Sequence, residues 1–218
     1  KPTRRFNMNL LGQALLEEQQ PIRSLYVYNS NPAVVAPEAN KVRDGLARKD
    51  LFTVVHDLFL TDTALFADIV LPATSAFENT DFYTSFWHHY IHLQEPVIKT
   101  YGDSKSNPDV FRLLAQAMGF DEQPFLDDDA EMIDQALSHL SNPYLCEVSY
   151  EKLKGKRYMK ASNTGDLLNN LKKPSGKIEL YSEQMKAAGF PALPTYIPII
   201  QDSDYPLLYV PAINHNFM

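Results

Sequence analysis

A short strand-like run, Leu25-Tyr26-Val27-Tyr28, breaks into Asn29-Ser30-Asn31-Pro32, passes through the helical stretch EANKVRDGLARK and returns as Leu51-Phe52-Thr53-Val54-Val55, ending in His56-Asp57. No other feature restricts the possible folds as sharply. Aromatic and β-branched residues fit a pleated, half-buried strand, and the asparagine–proline cluster is turn chemistry. Pro37 sits where the first turn of a helix tolerates proline. Strand, helix and strand within about 30 residues make a βαβ unit, whose strands pair in parallel with a right-handed crossover. A short helix near Thr63–Ala67 and the apolar run Asp68-Ile69-Val70-Leu71 continue the alternation. The expected fold class is α/β, an open, mostly parallel Rossmann-like sheet with flanking helices.

Beyond this unit the pattern varies. Residues 8–18 carry apolar side chains at helical spacing. Residues 86–98 alternate, with Trp87, His89, Ile91 and Leu93 on one face, as a half-buried strand requires. Asn107-Pro108 reads as an asparagine N-cap with proline at the first helical position, and Gly119 stops the helix. A further helix is expected over 130–140, its start rich in aspartate as the helix dipole favours. Pro174-Ser175-Gly176 turns into the strand-like run 177–181, followed by a short helix near 183–188. Prolines at 191, 194, 198 and 206 mark 191–206 as an extended linker.

Composition excludes several classes. A net charge of −7 and a pI near 5.3 oppose a general nucleic-acid binder, which needs a basic field. No apolar run approaches the roughly 20 residues of a membrane-spanning helix. A single cysteine, Cys146, builds no internal disulfide, thiolate zinc cage or iron–sulfur cluster. The chain begins at Lys1 and stops at Met218 within an apolar stretch, so it is expected to be a piece of a longer polypeptide.

Ligands of open α/β sheets bind at the carboxyl ends of the strands. Asn29-Ser30-Asn31 and His56-Asp57 occupy two such ends, either as ligand contacts or as turn residues bonding their own backbone. Neither a GxGxxG turn nor a P-loop lysine motif is present, which disfavours an ordinary NAD or ATP site. His88 and His92 would share a face on a helix and could then hold zinc, as a metallohydrolase would need, but the alternation around them indicates a strand. Asp127-Asp128-Asp129 lacks the spacing and glycine of a calcium loop.

The stretch from Tyr26 to Pro37 resembles the asparagine–proline loop of the molybdopterin oxidoreductases, the dimethyl sulfoxide reductase family. Residues 54–72, ending Ala67-Asp68-Ile69-Val70-Leu71-Pro72, are more similar still, with Glu78 at the family's spacing. Ser106-Asn107 through Met118-Gly119-Phe120 resembles the family's later helix, and Pro174–Glu183 the segment before its carboxyl-terminal barrel. These matches follow family order across nearly the whole chain.

The resemblance implies part of a catalytic subunit that uses molybdenum (or tungsten) on two molybdopterin guanine dinucleotides for oxygen-atom or electron-pair transfer. It places an α/β domain segment at 1–190, the linker at 191–206 and the start of a β-barrel-like carboxyl-terminal domain at 207–218. By position in the family, Asn29, Ser30, Asn31, His56 and Asp57 would contact the cofactor. Asp57 could accept both parallel donors of guanine. Asn79 stands where members often place a contact, sometimes a lysine; Asn107 falls near the cofactor or serves as an N-cap; His215 lies in a segment that approaches the pterin. No catalytic residue or metal ligand is assigned to this chain, which is expected to be inactive alone. An iron–sulfur cluster, where present, would belong to a missing amino-terminal region. The implied partners are the missing domains of the same polypeptide and an electron-transfer subunit, with no nucleic acid and no membrane-spanning segment. The compartment stays open, the cytoplasm slightly preferred to the periplasm. The competing reading is a stand-alone α/β binding module without cofactor.

Overall fold

The computed structural model describes residues 4–139, 144–162 and 175–196, with isolated positions at 171, 173, 198, 204 and 207. The chain divides into two units, 1–164 and 165–218.

In the first unit, a 3-10 turn at Met8–Leu10 runs into helix α1 (Leu11–Leu15), and strand β1 (Ser24–Tyr28) follows. Helices α2 (Pro32–Val35) and α3 (Ala39–Leu46) lead to β2 (Phe52–Asp57). After a 3-10 turn at Ala64–Phe66 comes β3 (Ile69–Pro72). The three strands form a parallel sheet in the order β1-β2-β3, with Tyr28 opposite His56 and Asp57 opposite Pro72. The expected βαβ unit and α/β class are present.

Proline placement differs from expectation. Pro32, not Pro37, opens a helix, and α3 starts from Glu38, which holds a left-handed conformation at φ 54°. Pro37 precedes that kink, so its fixed φ steers the approach to the helix rather than its first turn. Against one side of the sheet pack Leu15, Ala33, Val42, Leu46 and Leu51, all buried. Val27, Val55 and Ala64 form a second small core.

A 3-10 turn at Ala76–Glu78 leads to β4 (Asp81–Tyr83) and β5 (Tyr90–Gln94). Helix α4 (Asn107–Met118) follows, its end fixed by Gly119 at φ 74°, a left-handed conformation that glycine adopts without steric cost. Next come α5 (Asp129–His139), α6 (Tyr150–Lys156) and β6 (Tyr158–Lys160). β4, β5 and β6 form a second, antiparallel sheet. Ile91 and Leu93 are buried against Ile133, Leu137 and Leu153, while Tyr90 and His92 are exposed. The alternation therefore holds over 90–94 only. Trp87, expected on the inward face, is 95% exposed, and His89 is exposed too, because the pleat begins after them.

The N-cap of α4 is Ser106, one residue before the expected Asn107: its Oγ accepts from Asp109 N at 3.2 Å and donates to Asp109 Oδ2 at 2.8 Å. Tyr26 and Tyr28 of β1 each meet Phe111 of α4 with ring centroids 5.5 Å apart, which seats the helix against β1.

In the second unit, α7 (Glu183–Ala187) starts from Ser182, whose Oγ accepts from Met185 N at 3.2 Å. Residues 177–181, expected as a strand, are not one: Ile178 and Leu180 are 68% and 79% exposed, and no ladder partner pairs with them among the described residues. A lone strand leaves its backbone groups unpaired. Apart from Leu207, the expected barrel start at 207–218 lies outside the described residues, as does much of the linker. Among the described residues no helix is long and apolar enough to cross a membrane.

Candidate functional site

Three asparagines from three parts of the first unit converge on one cleft of about 240 Å³. Asn29 directly follows β1 in a left-handed conformation at φ 51°, which asparagine tolerates better than most residues. Asn79 follows the Ala76–Glu78 turn, and Asn107 is the first residue of α4. Because Ser106 caps the helix, the Asn107 side chain is released from that role. The Oδ1 atoms of Asn79 and Asn107 are buried without a hydrogen-bond partner. Buried polar atoms are normally paired, so these two acceptors in one cleft are open to donors from outside the chain.

The cleft's position follows from local chemistry. Ser75 and Glu78 form a capping box: Glu78 Oε2 accepts from Ser75 N and Ser75 Oγ, both at 2.7 Å. Glu78 Oε1 also accepts from Tyr101 N at 2.7 Å, tying the loop before α4 to this turn. These bonds, the Ser75 backbone N–H first, hold the Glu78 carboxyl below its ordinary pKa. Lys105 is spliced onto the end of β3: its N donates to Pro72 O and its O accepts from Thr74 N, each at 3.1 Å.

The remaining predicted contacts lie elsewhere. His56 is fully buried, and its Nε2 donates to Lys105 O at 3.1 Å, bracing the wall of the cleft from within the sheet. Its Nδ1 is buried without a partner. Asn31 directs its Oδ1 to Thr63, accepting from Thr63 Oγ1 at 2.7 Å and Thr63 N at 3.2 Å. Asp57 is half-buried, accepts from Phe59 N at 3.4 Å and does not line the cleft; Ser30 lines a separate, apolar groove with Tyr26 and Val35. Of the residues at the two strand ends, only Asn29 lines the cleft. His215 lies outside the described residues.

Two carboxylates on the cleft, Asp81 and Asp129, were not anticipated as site residues. Asp129 pairs with Arg112 at 2.7 Å, and Asp81 Oδ1 accepts from Phe82 N at 2.7 Å. The acidic start of α5 was visible, but its placement depends on packing against the second sheet. His88 and His92 meet edge to face, with ring centroids 5.5 Å apart, on exposed positions. No group of three or more potential metal ligands assembles among the described residues.

Comparison with known proteins adds an independent line. Residues 4–117 match the family model described as molybdopterin oxidoreductase. The probable oxidoreductase YoaE of Bacillus subtilis strain 168 is 65% identical over 216 residues, covering 99% of this chain and 32% of YoaE. The probable oxidoreductase YyaE of the same organism is 31% identical over 192 residues, covering 86% of this chain and 28% of its own length. The chain thus spans a third or less of the length of these curated relatives. The solved structure of acetylene hydratase from Pelobacter acetylenicus shares the fold, with a TM-score of 0.65 at 24% identity over 89% of this chain and 26% of that one.

Proposed function

Because the chain belongs to the molybdopterin oxidoreductase family, we propose that its first unit supplies part of the binding surface for a molybdopterin guanine dinucleotide. The family's cofactor is molybdopterin with its metal, and when bound it supplies the two-electron chemistry. The observation that carries the reading is the pair of buried, unpartnered oxygens on Asn79 and Asn107 in the cleft that Asn29 also lines. A nucleotide brings the missing donors, namely ribose hydroxyls and the ring N–H and exocyclic amine of guanine. Side-chain amides suit such a ligand because each also carries donors for phosphate or ribose oxygens. The residues present therefore fit the group, and their part is to bind and orient it.

On this reading the chain is one segment of a catalytic polypeptide, and the reacting centre forms only with the remainder. Relatives about three times its length support that view. Any iron–sulfur cluster would lie in that remainder, since one cysteine cannot hold one. Likewise the isolated chain would turn over no substrate.

The test is a titration of the 218-residue chain with guanosine diphosphate, followed by NMR of the asparagine side-chain amides. Saturable shifts at Asn29, Asn79 and Asn107 in the millimolar range or tighter, and stronger than with adenosine diphosphate, are expected. A folded chain that shows no shift at these amides overturns the reading in favour of an α/β module without cofactor.

A further inference from the structure

We propose, on the reading that this cleft receives the guanine dinucleotide, that Lys105 is its anion-binding residue and sits against the nucleotide's phosphates. In a chain of net charge −7, a phosphate needs a local cation, and Lys105 is the one cation lining the cleft or the polar groove continuous with it, among the described residues. Its side chain is exposed and enters no ion pair among the described residues, whereas the arginine nearby, Arg112, is held by Asp109 at 3.0 Å and Asp129 at 2.7 Å.

The backbone beneath it is fixed. Three hydrogen bonds of 3.1 Å, from Lys105 N to Pro72 O and from Thr74 N and His56 Nε2 to Lys105 O, lock this residue to the carboxyl ends of β2 and β3. An exposed loop lysine would need no such anchoring, least of all from a buried histidine. The anchoring holds the lysine stem at the rim, so that only its side-chain rotamers are ordered when a ligand binds.

Neighbouring carboxylates do not claim the ammonium. Glu78 is engaged by Ser75 and Tyr101, Asp109 and Asp129 by Arg112, and Asp81 Oδ1 accepts from the Phe82 amide; none of them pairs with Lys105 among the described residues. The charge is therefore left for an external anion, and a charge-assisted contact to a phosphate oxygen is among the stronger hydrogen bonds available. Beside it, the partnerless oxygens of Asn79 and Asn107 seek donors, which a phosphate lacks and a nucleoside has. The two halves of the cleft thus ask for the two halves of a nucleotide.

The experiment titrates the 218-residue chain and its Lys105→Gln and Lys105→Arg variants with guanosine, guanosine diphosphate and inorganic pyrophosphate, each at low and high salt. Lys105→Gln should weaken the two phosphate-bearing probes on the order of tenfold and flatten their salt dependence, with guanosine unmoved. Lys105→Arg should restore most of the affinity. Equal diphosphate affinity in the wild type and Lys105→Gln, with guanosine still bound, overturns the role of Lys105 alone. Pyrophosphate binding that depends on Lys105 without any guanosine binding keeps the anion site and removes the nucleotide reading. No binding by any probe removes both.

Discussion

Asn31 Oδ1 accepts two hydrogen bonds from Thr63, at 2.7 Å from Oγ1 and 3.2 Å from the backbone N, while Thr63 Oγ1 in turn accepts from Ala33 N at 3.1 Å. Thr63 is 0% exposed. The loop after β1 is thereby stapled to the loop after β2, and the carboxyl edge of the sheet is held as one surface. Asn31, expected from the sequence as a ligand contact, uses its side-chain oxygen to shape the edge that borders the cleft.

Removing that staple should be costly. Asn31→Ala leaves the buried Thr63 donors without their acceptor, and the expected loss is about 1–3 kcal/mol. Urea denaturation reads it as a lower midpoint at unchanged slope. In a double-mutant cycle with Thr63→Val the two losses should be non-additive, because both remove the bond from Thr63 Oγ1 to Asn31 Oδ1. Additive losses would show that the two residues act separately.

Asn107 should behave in the opposite way. Its buried oxygen has no partner within the protein, and an unpaired buried acceptor costs stability that a ligand would recover. Asn107→Leu is expected to raise the unfolding free energy by about 1 kcal/mol and to weaken guanosine diphosphate binding several-fold. A variant that is both less stable and equally able to bind would mean that the oxygen is satisfied in solution.

The contrast between Asn31 and Asn107 shows what could be read from sequence. The βαβ unit was legible because its strands declare themselves locally in side-chain type, and its crossover has one hand. The second sheet was only partly so: β4 and β6 are three residues each, too short to carry a period, and their pairing with β5 arises from contacts far apart in sequence. The site followed the same division. Turn asparagines could be seen at the strand ends, but that Asn31 would bond a threonine 32 residues away could not. Whether Ser106 or Asn107 caps α4 is a shift of one residue between two competent caps. That shift decides whether the Asn107 side chain serves the helix or the cleft.

Helix α1 can approach α3 closely because Gly45 faces Leu15. A Cβ at position 45 would stand 2.5 Å from Leu15 Cβ, and Leu15 is fully buried. Alanine gains about 1 kcal/mol over glycine in helix propensity, but overpacking a rigid contact costs about 1–3 kcal/mol. The clash involves the Cβ of Leu15, which no rotamer change can move. Gly45→Ala should therefore be destabilising despite its better propensity, and a raised thermal midpoint would show that the helices separate at little cost.

Acid sensitivity should trace in part to Glu78. Hydrogen bonds from Ser75 N, Ser75 Oγ and Tyr101 N favour its ionised form, so its folded pKa lies below the unfolded one, which is about 4.3. A lowered carboxyl pKa contributes stability that is fully present above the unfolded value and lost as pH falls through the folded one. Glu78→Gln keeps the shape and one acceptor oxygen but cannot ionise. Urea midpoints should then show the variant less stable than the wild type at neutral pH, with the gap closing as pH drops below about 4. The same bonds tie the turn before Asn79 to the loop that carries Lys105, so the variant should also weaken guanosine diphosphate binding at neutral pH. A gap in stability that stays constant from neutral to acid pH would assign the Glu78 contribution to packing rather than charge.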